Sequence, residues 1–100
     1  MIGPHANASQ DMLSNYHGSN NVVNSHTPLL AMTRALPSAH VAYAQGCDIS
    51  SNDTSGITAA VDAAKAADAA VVFLGLDQSQ EREGLDRNII HLPGVQLQLL

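Results

Sequence analysis
One hundred residues make at most one domain, and a hydrophobic content of 45% is enough for a globular core, which excludes a disordered chain. Charged residues are 13% and aromatics 3%, with Ala carrying much of the apolar total, so the predicted core is small-residue packing of helix on sheet. Four Lys+Arg against nine Asp+Glu give a formal charge of −5, the wrong sign for nucleic acid or an anionic membrane face. The longest apolar run, Ala69 to Leu74 extended by Leu76, falls far short of the roughly 20 residues a membrane helix needs.

The chain opens on Met1-Ile2-Gly3-Pro4-His5, without the basic and apolar regions of a signal peptide. Two Asn-x-Ser/Thr sequons, at Asn7 and Asn52, are compatible with a secretory route. From Ala6 to His26 neither a helical nor a strand period is visible, which predicts a long loop. Thr27-Pro28 then opens a short helix, with a hydroxyl at the N-cap and Pro in the first turn, and Pro37 stops it. His40 to Ala44 reads as a brief strand ending at Gly46. The single cysteine, Cys47, permits no internal disulfide and no thiolate metal pattern, and reads as a small buried thiol.

Asn52 to Gly56 is a turn and cap cluster in which Thr54 or Ser55 can cap the following helix. In that helix Ile57, Ala60 or Val61, Ala64 and Asp68 share one side, and its alanines leave a flat face for a sheet. The run Ala69 to Leu74, ending at Gly75, suits a strand covered on both faces. Beyond Pro93-Gly94, the residues Val95, Leu97, Leu99 and Leu100 begin a further helix. Helix followed by buried strand predicts an α/β fold: a layered sandwich with a mainly parallel sheet, incomplete at both ends, so that residues 1–100 form part of a domain. Cut this way, the chain is expected to fold only marginally by itself.

Six of the thirteen charged residues lie between Asp77 and Arg87, directly after the predicted buried strand, where open α/β sheets carry ligand-binding loops. The plainer reading is a solvated loop whose carboxylates pair with Arg82 and Arg87. Glu81 and Glu83 stand two apart, so an extended backbone turns both to one side and Arg82 to the other; spacing does not choose between the two carboxylates. The five histidines, His5, His17, His26, His40 and His91, lack the i, i+3/i+4 pairing of a zinc site.

The stretch Ala70 to Arg87, followed by Leu92-Pro93-Gly94-Val95-Gln96, resembles the second domain of family-3 glycoside hydrolases, nearest the β-xylosidase/α-L-arabinofuranosidase subgroup of plants and fungi. Three further segments match in the same order: Ile2 to Ala8, Met12 to Gly18, and Tyr43 to Asp48. The resemblance implies an N-terminal (β/α)8 barrel domain of the same protein that supplies an Asp nucleophile, while this α/β domain lends an acid/base Glu across the boundary. The family's Glu-Gly-x-Asp-Arg form falls on Glu83, with Glu81 as the alternative register, and Asp86 and Arg87 as supports of the loop.

The resemblance further implies an oligosaccharide or glycoside substrate, export from the cell, and neither a metal nor an organic cofactor. By itself the chain is expected to be inactive, since double displacement needs two carboxyl groups about 5 to 5.5 Å apart. The polar and aromatic groups Asn15, Tyr16 and His17 suit sugar contact, although an ordinary structural loop is the plainer expectation there, and family position alone puts His5 and His17 at the domain's upper edge, within reach of substrate. The rival reading is a noncatalytic carbohydrate-binding or interdomain module in which the 77–87 loop only packs against a neighbour.

Overall fold
In the computed structural model, which describes residues 1–13, 15–18 and 26–100, three extended segments meet at Ile2. Ile2 forms a parallel bridge with Ala44 on one side and with Val72 on the other. Ile2 N donates to Val71 O at 2.9 Å and Phe73 N to Ile2 O at 2.8 Å, while Gly3 N donates to Ala44 O at 3.1 Å. No further bridge follows, for two local reasons, although His5 N still donates to Phe73 O at 3.3 Å. Gly3 turns at φ 110, a conformation that L side chains rarely adopt, and Pro4 has no N–H to continue a ladder.

The expectation of a layered α/β sandwich with a mainly parallel sheet is therefore corrected. Among the described residues there is no β-strand, only isolated bridges, accompanied by two α-helices and two 3-10 turns. Nor is Ala69 to Leu74 covered on both faces: Ala69, Ala70 and Val71 are exposed and Val72 to Leu74 half-buried. Among the described residues its backbone pairs with residues 2–5 alone, and the regular bridging is interrupted at Gly3 and Pro4. His40 to Ala44 likewise contributes one bridge, at Ala44, rather than a strand.

Helix α1 spans Pro28–Ala35. Thr27 is its N-cap, accepting from Leu30 N at 3.1 Å, and the Leu29 amide is satisfied by Ala6 O at 2.8 Å. The Thr27 hydroxyl also donates to Asn7 Oδ1 at 3.1 Å, which ties the helix entry to the first turn of the chain. Within the expected loop before it, Asp11–Leu13 forms a 3-10 turn; Ser14 and the Asn20-Asn21-Val22-Val23 stretch lie outside the described residues.

Helix α2 spans Ile57–Lys65, three residues shorter than the pattern ending at Asp68. Its N-cap is Gly56, and neither Thr54 nor Ser55 caps it through a side chain. Ser55 is instead engaged by Asp53, which accepts from Ser55 N at 2.9 Å and from its hydroxyl at 3.0 Å. Ala60 is the residue of α2 that is fully enclosed, at 1% exposure, whereas Val61 is exposed. The small Ala60 lets Gly46 and Leu99 come close to this helix face. Leu99 belongs to the 3-10 turn Gln96–Leu99, which stands where a longer helix was expected.

Burial is correspondingly modest. Among the described residues the enclosed apolar side chains are Ile2, Pro4, Ala6, Cys47 and Ala60, and the enclosed polar ones are Thr27 and Gln96. Gln96, at 0% exposure, sits between the end of the 71–75 segment and the 49–51 loop. Among the described residues no helix is long and apolar enough to cross a membrane.

Candidate functional site
The 71–75 segment delivers the chain into the acidic stretch that begins at Asp77. Asp77 Oδ1 accepts from Ser79 N at 2.8 Å and from Ser79 Oγ, and its carbonyl accepts from Gln80 N at 3.0 Å and Glu81 N at 3.2 Å. These bonds wind 77–81 into a turn, the local preference of an Asp two residues ahead of a Ser. Arg82 and Leu85 then close a tight antiparallel bridge, with Arg82 N donating to Leu85 O at 3.1 Å and Leu85 N to Arg82 O at 2.9 Å. Glu83 and Gly84 form the two-residue tip, and Gly84 takes φ 77 there.

The extended geometry expected for Glu81 and Glu83 is thus not what the backbone adopts. Glu81 closes the turn from Asp77, and Glu83 stands at the hairpin tip; both are exposed. They nevertheless border one open groove of about 510 Å³, with Asp86 on the same rim. The 3-10 turn and the residues after it also line this groove, through Asp11, Asn15 and Tyr16. Tyr16 is 76% exposed, an aromatic ring presented beside carboxylates. His5 and His17 are not among the groove's lining residues.

The expected pairing of the arginines with carboxylates is not present among the described residues. Arg82 donates to Gln78 O at 2.7 Å. Arg87 bridges the far limb of the loop, donating to Ile89 O at 3.2 Å, His91 O at 2.7 Å and Gln80 Oε1 at 3.1 Å. A guanidinium bonded to three residues at once fixes a loop better than a point charge does, because its fork geometry sets direction as well as distance. The groove is left acidic: Asp11, Asp77, Glu81, Glu83 and Asp86 line it against Arg82 alone.

Two supports of this loop have no signal in the periodicity of the sequence. The His5 ring lies against Gly75, and its Nε2 is 2.8 Å from Leu76 O. Gln96 grips the Gly75 backbone as well, accepting from Gly75 N at 2.9 Å and donating to Gly75 O at 2.8 Å and to Ile49 O at 2.7 Å. A Gln among Val95, Leu97 and Leu99 is the one hint that the sequence offers, a polar side chain inside an apolar run.

Elsewhere, burial and the neighbouring Asp48 carboxylate push the Cys47 thiol up from its ordinary value, and burial pushes the Tyr43 phenol up. The Asp53 carboxyl is held below the usual carboxylate range by the two hydrogen bonds from Ser55. Among the described residues no group of three His, Cys, Asp or Glu side chains is arranged to hold a metal ion.

A family model described as the glycosyl hydrolase family 3 C-terminal domain matches residues 1–100. Beta-D-xylosidase 3 of Arabidopsis thaliana is 43% identical over 100 residues, and a probable exo-1,4-beta-xylosidase, bxlB, of Aspergillus terreus is 42% identical over 100 residues. Each alignment covers 100% of this chain and 12% of the relative, so the chain spans about one eighth of the length of these proteins. A solved structure of a GH3 exo-beta-xylosidase, XlnD, in complex with a xylobiose aziridine activity-based probe superposes with a TM-score of 0.84 at 37% identity, over 98% of this chain and 12% of that one. With the whole length matched by the family model and by relatives well above 30% identity, the chain belongs to the C-terminal domain of glycoside hydrolase family 3.

Proposed function
We propose that this chain is the acid/base-bearing part of a retaining, exo-acting β-glycosidase of the xylosidase type, which removes terminal sugars from plant-type oligosaccharides outside the cell. The observation that carries the reading is the position of Glu83, at the tip of a two-residue hairpin bordering an acidic groove that Tyr16 also lines. The names of the plant and fungal relatives, all xylosidases, support the substrate class. The sequons at Asn7 and Asn52 are compatible with export.

In this reading a barrel domain of the same protein brings an Asp nucleophile to within about 5 to 5.5 Å of the acid/base carboxyl, the spacing of a retaining enzyme. Glu83 gives its proton to the departing glycosidic oxygen, and as carboxylate takes one from the water that releases the glycosyl enzyme. Glu81 is the alternative register, two residues away on the same groove. Asp86 and Arg87 hold the loop rather than react, Arg87 through its bonds to Gln80, Ile89 and His91.

The test is Glu83→Gln against Glu81→Gln in the full-length protein. For the acid/base, turnover falls by about 10² to 10⁴-fold for poor leaving groups and much less for activated aryl glycosides. Azide then partly restores the activated reaction, because a small anion needs no base to attack the glycosyl enzyme. If Glu81→Gln shows this signature and Glu83→Gln does not, the register is Glu81. If neither does, the loop is structural and the noncatalytic module is the correct reading.

A further inference from the structure
We infer that His5 is a positioning residue for the acid/base loop, acting through the Leu76 carbonyl; this rests on the reading of that loop as the bearer of the general acid. His5 lies 71 residues upstream of Leu76, yet its Nε2 meets Leu76 O at 2.8 Å. Its own backbone N–H donates to Phe73 O at 3.3 Å. One residue thus holds the chain at two carbonyls, three residues apart, immediately before Asp77 starts the turn that leads to Glu81 and Glu83.

The ring is fixed as well as attached. A carbonyl can only accept, so the bond to Leu76 O places a proton on Nε2. Nδ1 is buried without a partner among the described residues, which leaves Leu76 O as the ring's bonded anchor. The ring face closes over Gly75, where an added Cβ would stand 3.3 Å from His5 Cε1. Gln96 fixes the same Gly75 backbone through its N–H and C=O. The root of the loop is therefore held by two side chains, and His5, bonded to Leu76 O, is the one nearer to Asp77. His5 does not line the groove, so its effect on the reaction passes through backbone position rather than through contact with substrate.

A general acid is sensitive to such placement, because a misplacement of about 1 Å costs on the order of 10²-fold. In the full-length enzyme, His5→Ala removes the bond to Leu76 O, and His5→Gln retains an amide N–H at a similar reach. The measurement is kcat and KM for a series of aryl and alkyl β-xylosides of graded leaving-group acidity, with Glu83→Gln and Glu81→Gln run alongside. His5→Ala is expected to lower kcat by about 10-fold or more for the poorest leaving groups, to change the most activated ones by less than about 3-fold, and to leave KM nearly unchanged. His5→Gln is expected to recover most of the loss.

A uniform fall across the leaving-group series, or a His5→Gln no better than His5→Ala, overturns the inference, since a merely structural role lowers the amount of competent enzyme equally for every substrate. If neither Glu variant shows leaving-group dependence, the reading of the loop fails, and the role of His5 with it. If one of them does and His5→Ala does not, only the role of His5 fails.

Discussion

Gln96 pairs with Gly75 as a neighbouring strand would, accepting from its N–H at 2.9 Å and donating to its C=O at 2.8 Å. The side-chain amide thereby satisfies both backbone groups of a residue that has run out of bridge partners. Its second amide hydrogen reaches Ile49 O at 2.7 Å, and the side chain is fully enclosed. Leaving such groups unpaired costs about 1–3 kcal/mol each.

Gln96→Glu is the sharpest probe of this arrangement, because it keeps the shape and replaces two donors with an acceptor. We expect a loss of stability of roughly 3 kcal/mol or more near neutral pH, where a carboxylate oxygen would face Gly75 O and Ile49 O. Part of that loss should return on acidification, when one carboxyl oxygen regains a proton to donate. Urea titrations of the full-length protein at several pH values check both points, and an unchanged midpoint would remove Gln96 from the support of the loop.

Gly3→Ala should be among the most damaging small substitutions in the chain. The added Cβ would lie 2.1 Å from Phe73 O, and the backbone there holds φ 110. Gly84→Ala is the control: it has open space around it and meets only the strain of φ 77, about 1–2 kcal/mol. Thermal unfolding of the two variants should rank Gly3→Ala well below Gly84→Ala. The reverse order would mean that the bridge at Ile2 is dispensable.

The pH dependence has a defined sign at Asp53. Its folded carboxyl is held below the ordinary value by Ser55, so its contribution to stability is present above about pH 4 and fades as the pH falls through the folded value. Asp53→Asn should therefore be less stable than the parent near neutrality, with the gap narrowing in acid. Melting temperatures of both proteins across that range test this; a gap that widens on acidification contradicts it.

Cys47 should resist alkylation in the folded protein. It is 7% exposed, and both burial and Asp48 hold the thiol protonated. Iodoacetamide at mildly alkaline pH is expected to label it slowly until denaturant is added, read by mass spectrometry of the intact chain. Rapid labelling of native protein would place the thiol at the surface.

In the proposed reading the nucleophilic Asp comes from a barrel domain, so a polypeptide of these 100 residues is expected to show no hydrolysis of aryl β-xylosides. Robust turnover by the purified chain would overturn the two-domain account.

What the sequence made legible was local. Thr27-Pro28 announced α1 because a hydroxyl cap and a Pro in the first turn are self-contained signals, and the alanine-rich run announced α2. The segments around Ala44 and Val72 misled, because an apolar run says nothing of how far its partner stays alongside; Gly3 and Pro4 end that pairing from another part of the chain. The acidic loop was visible as a concentration of charge. Its hairpin was not, because the bridge between Arg82 and Leu85 and the role of Arg87 depend on backbone carbonyls, which every residue carries alike.

The hairpin also sets what kind of change the loop can absorb. Glu83 sits on a lever of two residues, between a bridge at Arg82 and Leu85 and an arginine fastened to three anchors. Side chains around that tip can be exchanged with little movement of the carboxylate, but one inserted residue adds about 3.3 Å of chain and displaces it from its place on the rim. Redesign of this enzyme class for new aglycones should therefore vary the identity of residues here and leave the loop length alone.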